Sequence, residues 1–341
     1  LIFQCIIQKI DYYIRKTDDM VGPSEKLPVV LGTAVPSSNN TNLKTFGWEL
    51  ELMWKDRLNN GLNYSARFTL ADSRTKITRY SNPSGLIDGF YAGKYVGEIW
   101  GYETIGIAQS DQEMAEHIGR LINGGQSNLG QDWKAGDIMY KDLNEDGKID
   151  AGSRTLQDHG DLKRIGNSTP RYNVGLELAA DWKGFDIRMF WQGTLKRDYF
   201  QGSYYFWGAN GRQGPWFSTA LKGHDDYFRN DEASPLGTNL NSYYPRPLFN
   251  TDKNQQSQTK YLQDASYLRL KNLQIGYSLP HNIVQKMGMQ HLRIFASGEN
   301  LFTITSLIDF FDPESIEGGS WGHGNVYPLS RTFSFGLNVT F

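Results

Sequence analysis

The sequence has 341 residues, 35 Lys and Arg against 37 Asp and Glu, and only 39% hydrophobic residues although aromatics reach 13%. A net charge of −2 with no block of Lys and Arg excludes a nucleic-acid binder that works by a basic face. The single cysteine, Cys5, excludes an internal disulfide, and no apolar run approaches the ~18 residues of a membrane helix. Nine Trp, 19 Tyr and 18 Phe beside 36 Gly suit strands with one face in lipid and the other in water.

The opening segment Leu1 to Ile7 is apolar but has no initiating Met and no basic leader, so residues 2–15 read as a strand entered partway. Gln4 is too large for lipoprotein processing at Cys5. The next strand, 43–56, places Phe46, Trp48, Leu50, Leu52 and Trp54 on one face and Glu49, Glu51 and Lys55 on the other. The strand over 61–75 opposes Leu62, Tyr64, Ala66, Phe68 and Leu70 to Asn63, Ser65, Arg67 and Thr69. The strand 170–182 carries Tyr172, Val174, Leu176, Leu178, Ala180 and Trp182 against Asn173, Glu177 and Asp181. The strand 185–197 carries Phe185, Ile187, Met189 and Trp191 against Asp186, Arg188 and Gln192. Three further strands fall at 259–279, 291–304 and 331–341, with 259–279 and 291–304 the least regular.

These rows end in aromatics and run to ~10 residues or more, the span a tilted strand needs to cross a bilayer. The links alternate. Asp56 to Gly61 and Lys183-Gly184 are short, Pro280 to His291 is intermediate, and 17–42, 80–168, 198–258 and 305–330 are long, polar and rich in Gly and aromatics. Outer-membrane barrels show this rhythm of periplasmic turns and extracellular loops. The expected fold is all-β: the C-terminal portion, about eight strands, of an antiparallel up-and-down transmembrane barrel with long extracellular loops. The sheet should be open, with strand 2–15 and strand 331–341 as its edges. A sandwich burying the Phe46–Trp54 row is the competing architecture. The last strand aligns Phe333, Phe335, Leu337, Val339 and Phe341 on one face. Gly336, Val339 and the terminal Phe341 resemble the assembly signal of outer-membrane proteins, which puts the C-terminus in the periplasm.

Several motifs, in order, resemble the C-terminal third of the SusC/RagA family of TonB-dependent transporters. They include Asp11 to Thr17, Leu31 to Pro36, Asn40 to Glu49, Gly97 to Tyr102, Gly136 to Asp150, Tyr172 to Gly193, Tyr267 to Leu273 and Ser297 to Thr303. The resemblance implies a barrel of 22 strands around a plug, coupled through the TonB complex to the inner membrane. It also implies a SusD-like surface lipoprotein that delivers oligosaccharides or peptides, and the outer-membrane assembly machinery as a folding partner. Residues 1–341 then represent barrel only, with plug and signal peptide outside this sequence. Two other functions compete with import: a secreted or surface carbohydrate-binding or adhesive β-protein, and a passive porin.

Two local patterns invite chemistry. Asp142-Leu-Asn144-Glu-Asp146-Gly147-Lys148-Ile-Asp150 matches the first nine positions of a calcium loop, with a backbone carbonyl expected from Lys148. The twelfth position is Ser153, not a bidentate acid, so any calcium is structural and weakly held unless Asp158 or Asp161 contributes. A metal-free turn capped by Asp and Asn side chains fits equally. The second pattern is the aromatic group Tyr204, Tyr205, Phe206, Trp207, Trp216 and Phe217. It suits either a ligand or partner surface or packing within the loop, and packing is the stronger reading for most of the group. Catalytic signatures are missing: the six His lack metal-binding spacing and there is no G-x-S-x-G elbow. Glu49 and Glu51 share a face with cations, as a lumen wall would, so no enzyme and no required cofactor is expected.

Overall fold

A computed structural model describes residues 5–22, 32, 37–209, 211, 218, 220–316 and 329–341. Eight long strands form one antiparallel sheet in sequence order. They are β1 (Cys5–Gly22), β2 (Ser38–Arg57), β3 (Asn63–Arg79), β4 (Arg171–Trp182), β5 (Phe185–Lys196), β6 (Tyr267–Ser278), β7 (His291–Thr305) and β8 (Thr332–Thr340). Each strand pairs with its neighbours in the chain, leaving β1 and β8 as edges of an open meander.

The register explains why the alternation in sequence survives as two faces. Leu50 pairs with Leu70 and Leu52 with Phe68; Phe68 continues to Leu176, and Leu176 to Trp191. At the far end Ile275 meets Ala296 and Ala296 meets Phe335. The other face joins Lys9 to Glu51, Glu51 to Thr69 and Arg67 to Glu177. Because side chains repeat every two residues, a slip of one would exchange these faces throughout.

Among strand boundaries, the largest departures from the sequence reading are at three places. β1 runs on to Gly22 and β2 starts at Ser38, because Asp18 accepts the Asn42 amide at 2.8 Å and Asn42 accepts the Asp19 N–H at 3.1 Å. β6 begins at Tyr267, not at 259. Residues Gln263–Asp264 pair instead with Asp198–Tyr199, and Tyr261 is fully buried. The irregularity of β6 and β7 is a bulge between Leu270 and Asn272, opposite Asn300 at φ 52°.

The larger correction concerns the long links, which the sequence left without structure. Opposite the short hairpins they fold into a layer with its own core. Short ladders join Glu98–Gly101 to Lys163–Asn167 and Thr104–Ile107 to Ile138–Tyr140. Helix α1 (Asp111–Arg120) starts where the Ser110 hydroxyl accepts the Glu113 N–H at 3.1 Å, and it buries Met114. Around these pack Ile87, Tyr140, Ile149, Phe206 and Tyr261, each no more than 1% exposed. Arg269 of β6 ties the final loop down through Asp312 and Glu314, both at 2.7 Å.

Candidate functional site

The polar face of the sheet is a wall of paired charges. Arg67 Nε donates to Glu51 Oε1 at 2.7 Å, so this strand carboxylate is engaged by a cation on its own face. Nearer the short hairpins, Arg293 grips Asp186 with two bonds of 2.8 and 2.6 Å. On β8, a Cβ at Gly336 would lie 2.4 Å from the Phe295 ring, so this position of the C-terminal motif must be glycine for packing within the sheet. Phe335 and Phe341 are 85% and 81% exposed, and Val339 is also exposed.

Of the aromatic candidates, Tyr205, Phe206 and Trp207 pack into the loop layer. Trp207 is 6% exposed and stacks edge-on to Tyr261 with ring centres 4.6 Å apart. Tyr205 is partly buried against the same core, and Tyr204 sits on the single helical turn Tyr204–Trp207. Trp216 and Phe217 lie outside the described residues. The buried imidazole of His224 closes this cluster. Its Nδ1 accepts the Leu221 N–H at 2.9 Å, so Nε2 carries the proton toward the carbonyls of Tyr205 and Phe206 at 3.0 and 3.1 Å. Burial holds its pKa below the ordinary histidine value.

The calcium-like segment is a docked turn. Asp142 accepts the Gly147 N–H at 2.8 Å, Asn144 that of Asp146 at 3.2 Å, and Asp146 that of Lys148 at 3.1 Å. Lys148 Nζ stands 2.6 Å from Asp150 and 3.7 Å from Asp146. Asp161 reaches in, but to the N–H groups of Leu143 and Asp150 at 2.7 and 2.9 Å. Burial, together with Asp142 and Asp146, pushes its carboxyl up. Asp158 likewise caps Ser153 at 2.9 Å. Gly147, at φ 79°, lets the turn lie against residues 122 and 123, and its carbonyl accepts the Asn123 N–H at 2.8 Å. Among the described residues no group of three or more His, Cys, Asp or Glu is arranged to hold a metal.

Deeper in the layer, Asp137 is fully buried. Arg246 donates to it at 2.7 and 2.8 Å, Lys253 lies 2.8 Å away and Asn254 donates at 2.9 Å. Burial alone would raise this carboxyl, but those donors outweigh it and hold it below its usual range.

Where the sheet meets the loop layer, a cavity of about 470 Å³ opens between β3, the start of β4, the end of β5 and the 95–98 and 164–169 segments. The upper part of β3 leaves β4 here and bonds instead to the 93–96 segment, Ile77 N–H to Lys94 O at 2.8 Å and Val96 N–H to Thr75 O at 2.9 Å. Tyr95 thereby comes to rest under Arg74, whose guanidinium carbon is 4.0 Å from the ring centre. Arg171 forks onto Asp72 of β3, and its Cα partner across the β4–β5 ladder is Lys196.

No family profile matches the chain. It is 28% identical over 353 residues to TonB-dependent receptor P3 of Formosa agariphila, an alignment covering 97% of this chain and 32% of that protein. It is 24% identical to the TonB-dependent receptor SusC of Bacteroides thetaiotaomicron, over 97% of this chain and 30% of SusC. This chain is similar to SusC-type TonB-dependent receptors over nearly its whole length. It spans about a third of the length of the curated relatives it matches. The fold agrees: a solved structure of the RagAB peptide transporter superposes with a TM-score of 0.68 at 22% identity, covering 98% of this chain and 33% of that one.

No motif in the sequence announced the junction cavity. Its charged residues Arg74, Arg164, Arg171 and Lys196 come from separate segments with no shared spacing. The one signal in the sequence was a cation at or near the loop-side ends of β3, β4 and β5, in Arg74, Arg171 and Lys196.

Proposed function

We propose that this chain forms the wall and outer loops of an outer-membrane importer energised through TonB. In this reading it takes up oligosaccharides or peptides passed on by a SusD-like surface lipoprotein. The observation that carries the proposal is the open, two-faced meander with all its large folded loops on one side, in a chain similar to TonB-dependent receptors over 97% of its length. A lipid-facing row of Leu, Phe and Trp and a polar face of ion pairs are what a water-filled barrel requires. Relatives named as receptors and a neighbour titled a peptide transporter favour transport over catalysis. The short hairpins and the C-terminus then face the periplasm, and Phe341 is read by the assembly machinery. Residues 1–341 are barrel, and the plug belongs to the remainder of the full-length protein.

The test is a strain deleted for the full-length gene, compared with one lacking TonB. Both should lose growth on the same oligosaccharide or peptide source, and deleting the lipoprotein gene should mimic them. Uptake that survives loss of TonB would make the protein a porin. Normal growth on every source after deletion of the gene would overturn import.

A further inference from the structure

At its loop side, the apolar face of the sheet ends in a row of cations. The ladder of β1, β2 and β3 sets Lys16 directly opposite Lys44, and Lys44 opposite Lys76. One step inward on the same face come Ile14, Phe46 and Arg74, and two steps further Ile10, Leu50 and Leu70. The Tyr95 ring receives both Arg74 and Lys76, whose cationic centres lie 4.0 and 5.7 Å from its own, and Lys44 Nζ stands 4.7 Å from the centre of the Phe46 ring. The rings hold these side chains without cancelling their charge. The acids that flank the cations along β1 and β3 are engaged elsewhere: Asp18 with the Asn42 amide, Asp19 with Arg79 at 3.3 Å, and Asp72 with Arg171. Among the described residues none of the four cations pairs with a carboxylate. Like charges directly opposite on neighbouring strands repel, so the row calls for an anion from outside the chain.

The height of the row fits a lipid headgroup. Lys44 lies six positions from Leu50, the middle of the Phe46–Trp54 row. At ~3.4 Å per residue and a tilt of ~40°, that is about 15 Å along the membrane normal. The apolar band of such barrels reaches about 12 Å from its middle, so the ammonium groups clear the acyl chains. The hairpin-side end of the same face is different: it runs through Ile6, Trp54 and Ala66 to Asp56 and Tyr64.

We infer that this row binds the phosphates of a lipid in the outer leaflet, with the acyl chains lying along the apolar face below. Lys16, Lys44 and Lys76 form the contact line, and Arg74 adds a fourth charge beside Tyr95. The inference rests on the import reading for the leaflet that the loops face, but not on transport itself.

The experiment adds synthetic lipid A to the purified full-length protein in detergent and measures bound lipid by native mass spectrometry. One probe carries two phosphates and the other none, with identical acyl chains. The phosphorylated probe should bind about tenfold more tightly. The preference should shrink as ammonium acetate rises from about 50 mM to about 500 mM. It should vanish in the triple variant Lys16→Gln, Lys44→Gln, Lys76→Gln and survive in Lys16→Arg, Lys44→Arg, Lys76→Arg. The glutamine variant removes a repulsion and no ion pair, so it should still migrate as a folded species in a heat-modifiability gel. Lys55→Gln, on the other face of β2, should leave the preference unchanged. Equal binding of the two probes overturns the site, as does a preference that survives in the folded glutamine variant. Millimolar inorganic phosphate should leave the lipid bound; if it abolishes the preference, the row is a free-phosphate site and the lipid inference falls. TonB-dependent uptake is a separate readout. Preference without uptake sinks import and leaves the row standing, whereas uptake without preference does the reverse.

Discussion

The sheet and the loop layer are two solutions to burial within one chain. Along β8 every residue but Gly336 is exposed, and Leu52, Ile275 and Ile294 on the apolar face are 39%, 49% and 48% exposed. The sheet is held by its ladders and satisfies its outer face only in lipid. The loop layer needs no lipid. It encloses Phe206, Tyr140 and Tyr261 and neutralises its own charges, Asp137 with Arg246 and Lys253. The lesson is that average composition misleads here: low hydropathy conceals a dry aromatic core and an apolar surface in separate places.

The largest effect expected from breaking this division is in the loop layer. Asp137→Ala strands the buried Lys253 and the half-buried Arg246, and losing one partner of a buried ion pair costs about 3–5 kcal/mol. Hydrogen exchange on the full-length protein should show lost protection across 134–140 while the strands stay protected. Unchanged protection there would mean the cluster is not structural. Next comes the sheet. Leu176→Arg should destabilise the assembled barrel by about 2–4 kcal/mol if it lies near mid-membrane, and Glu177→Arg far less. Equal effects in a folding assay would erase the two faces.

A third test uses pH to sharpen the contrast. Burial lowers the pKa of both His224 and His117, with Asp225 opposing the shift at His224, and Gln126 and Glu113 opposing it at His117 while Arg120 adds to it. The unfolded chain therefore binds more protons below the ordinary imidazole value of about 6.5, and stability rises with pH through that region. Loop-layer protection should fall between neutral pH and about pH 5 while the sheet's does not, and His224→Gln should blunt the fall. A fall of equal size in both regions would contradict the assignment. The smallest effect is expected from calcium. With Asp142, Asp146 and Asp150 bonded to backbone or to Lys148, calorimetry on the full-length protein should show no saturable heat below about millimolar calcium. Saturation well below that, lost in Asp146→Ala, would restore the metal-loop reading.

The strands were legible because period-two alternation is written locally, as in Phe46 to Trp54 or Phe333 to Phe341. The bulge at Lys271 was legible only as irregularity. The loop core was not legible, since its contacts join distant links. Tyr140 packs on Tyr102 at 5.4 Å and donates to Lys253 O at 2.7 Å, and neither partner follows from spacing. Packing was the stronger reading for most of the aromatic group, and Tyr205, Phe206 and Trp207 pack into the loop core, but against which partners could not be read from spacing. The acidic motif at 142–150 left a turn and a metal loop as alternatives, and the N–H groups its side chains cap became visible only in three dimensions. The junction cavity has no motif at all.

The central claim is that even-numbered residues of β2 face lipid while odd-numbered ones face the aqueous lumen. Nitroxide labels placed singly at positions 49, 50, 51 and 52 of the full-length protein, in a Cys5→Ser background and reconstituted in bilayers, test it directly. Labels replacing Leu50 and Leu52 should collide with lipid-dissolved oxygen, and those replacing Glu49 and Glu51 should not. Accessibility without alternation, or with the faces exchanged, would contradict the account.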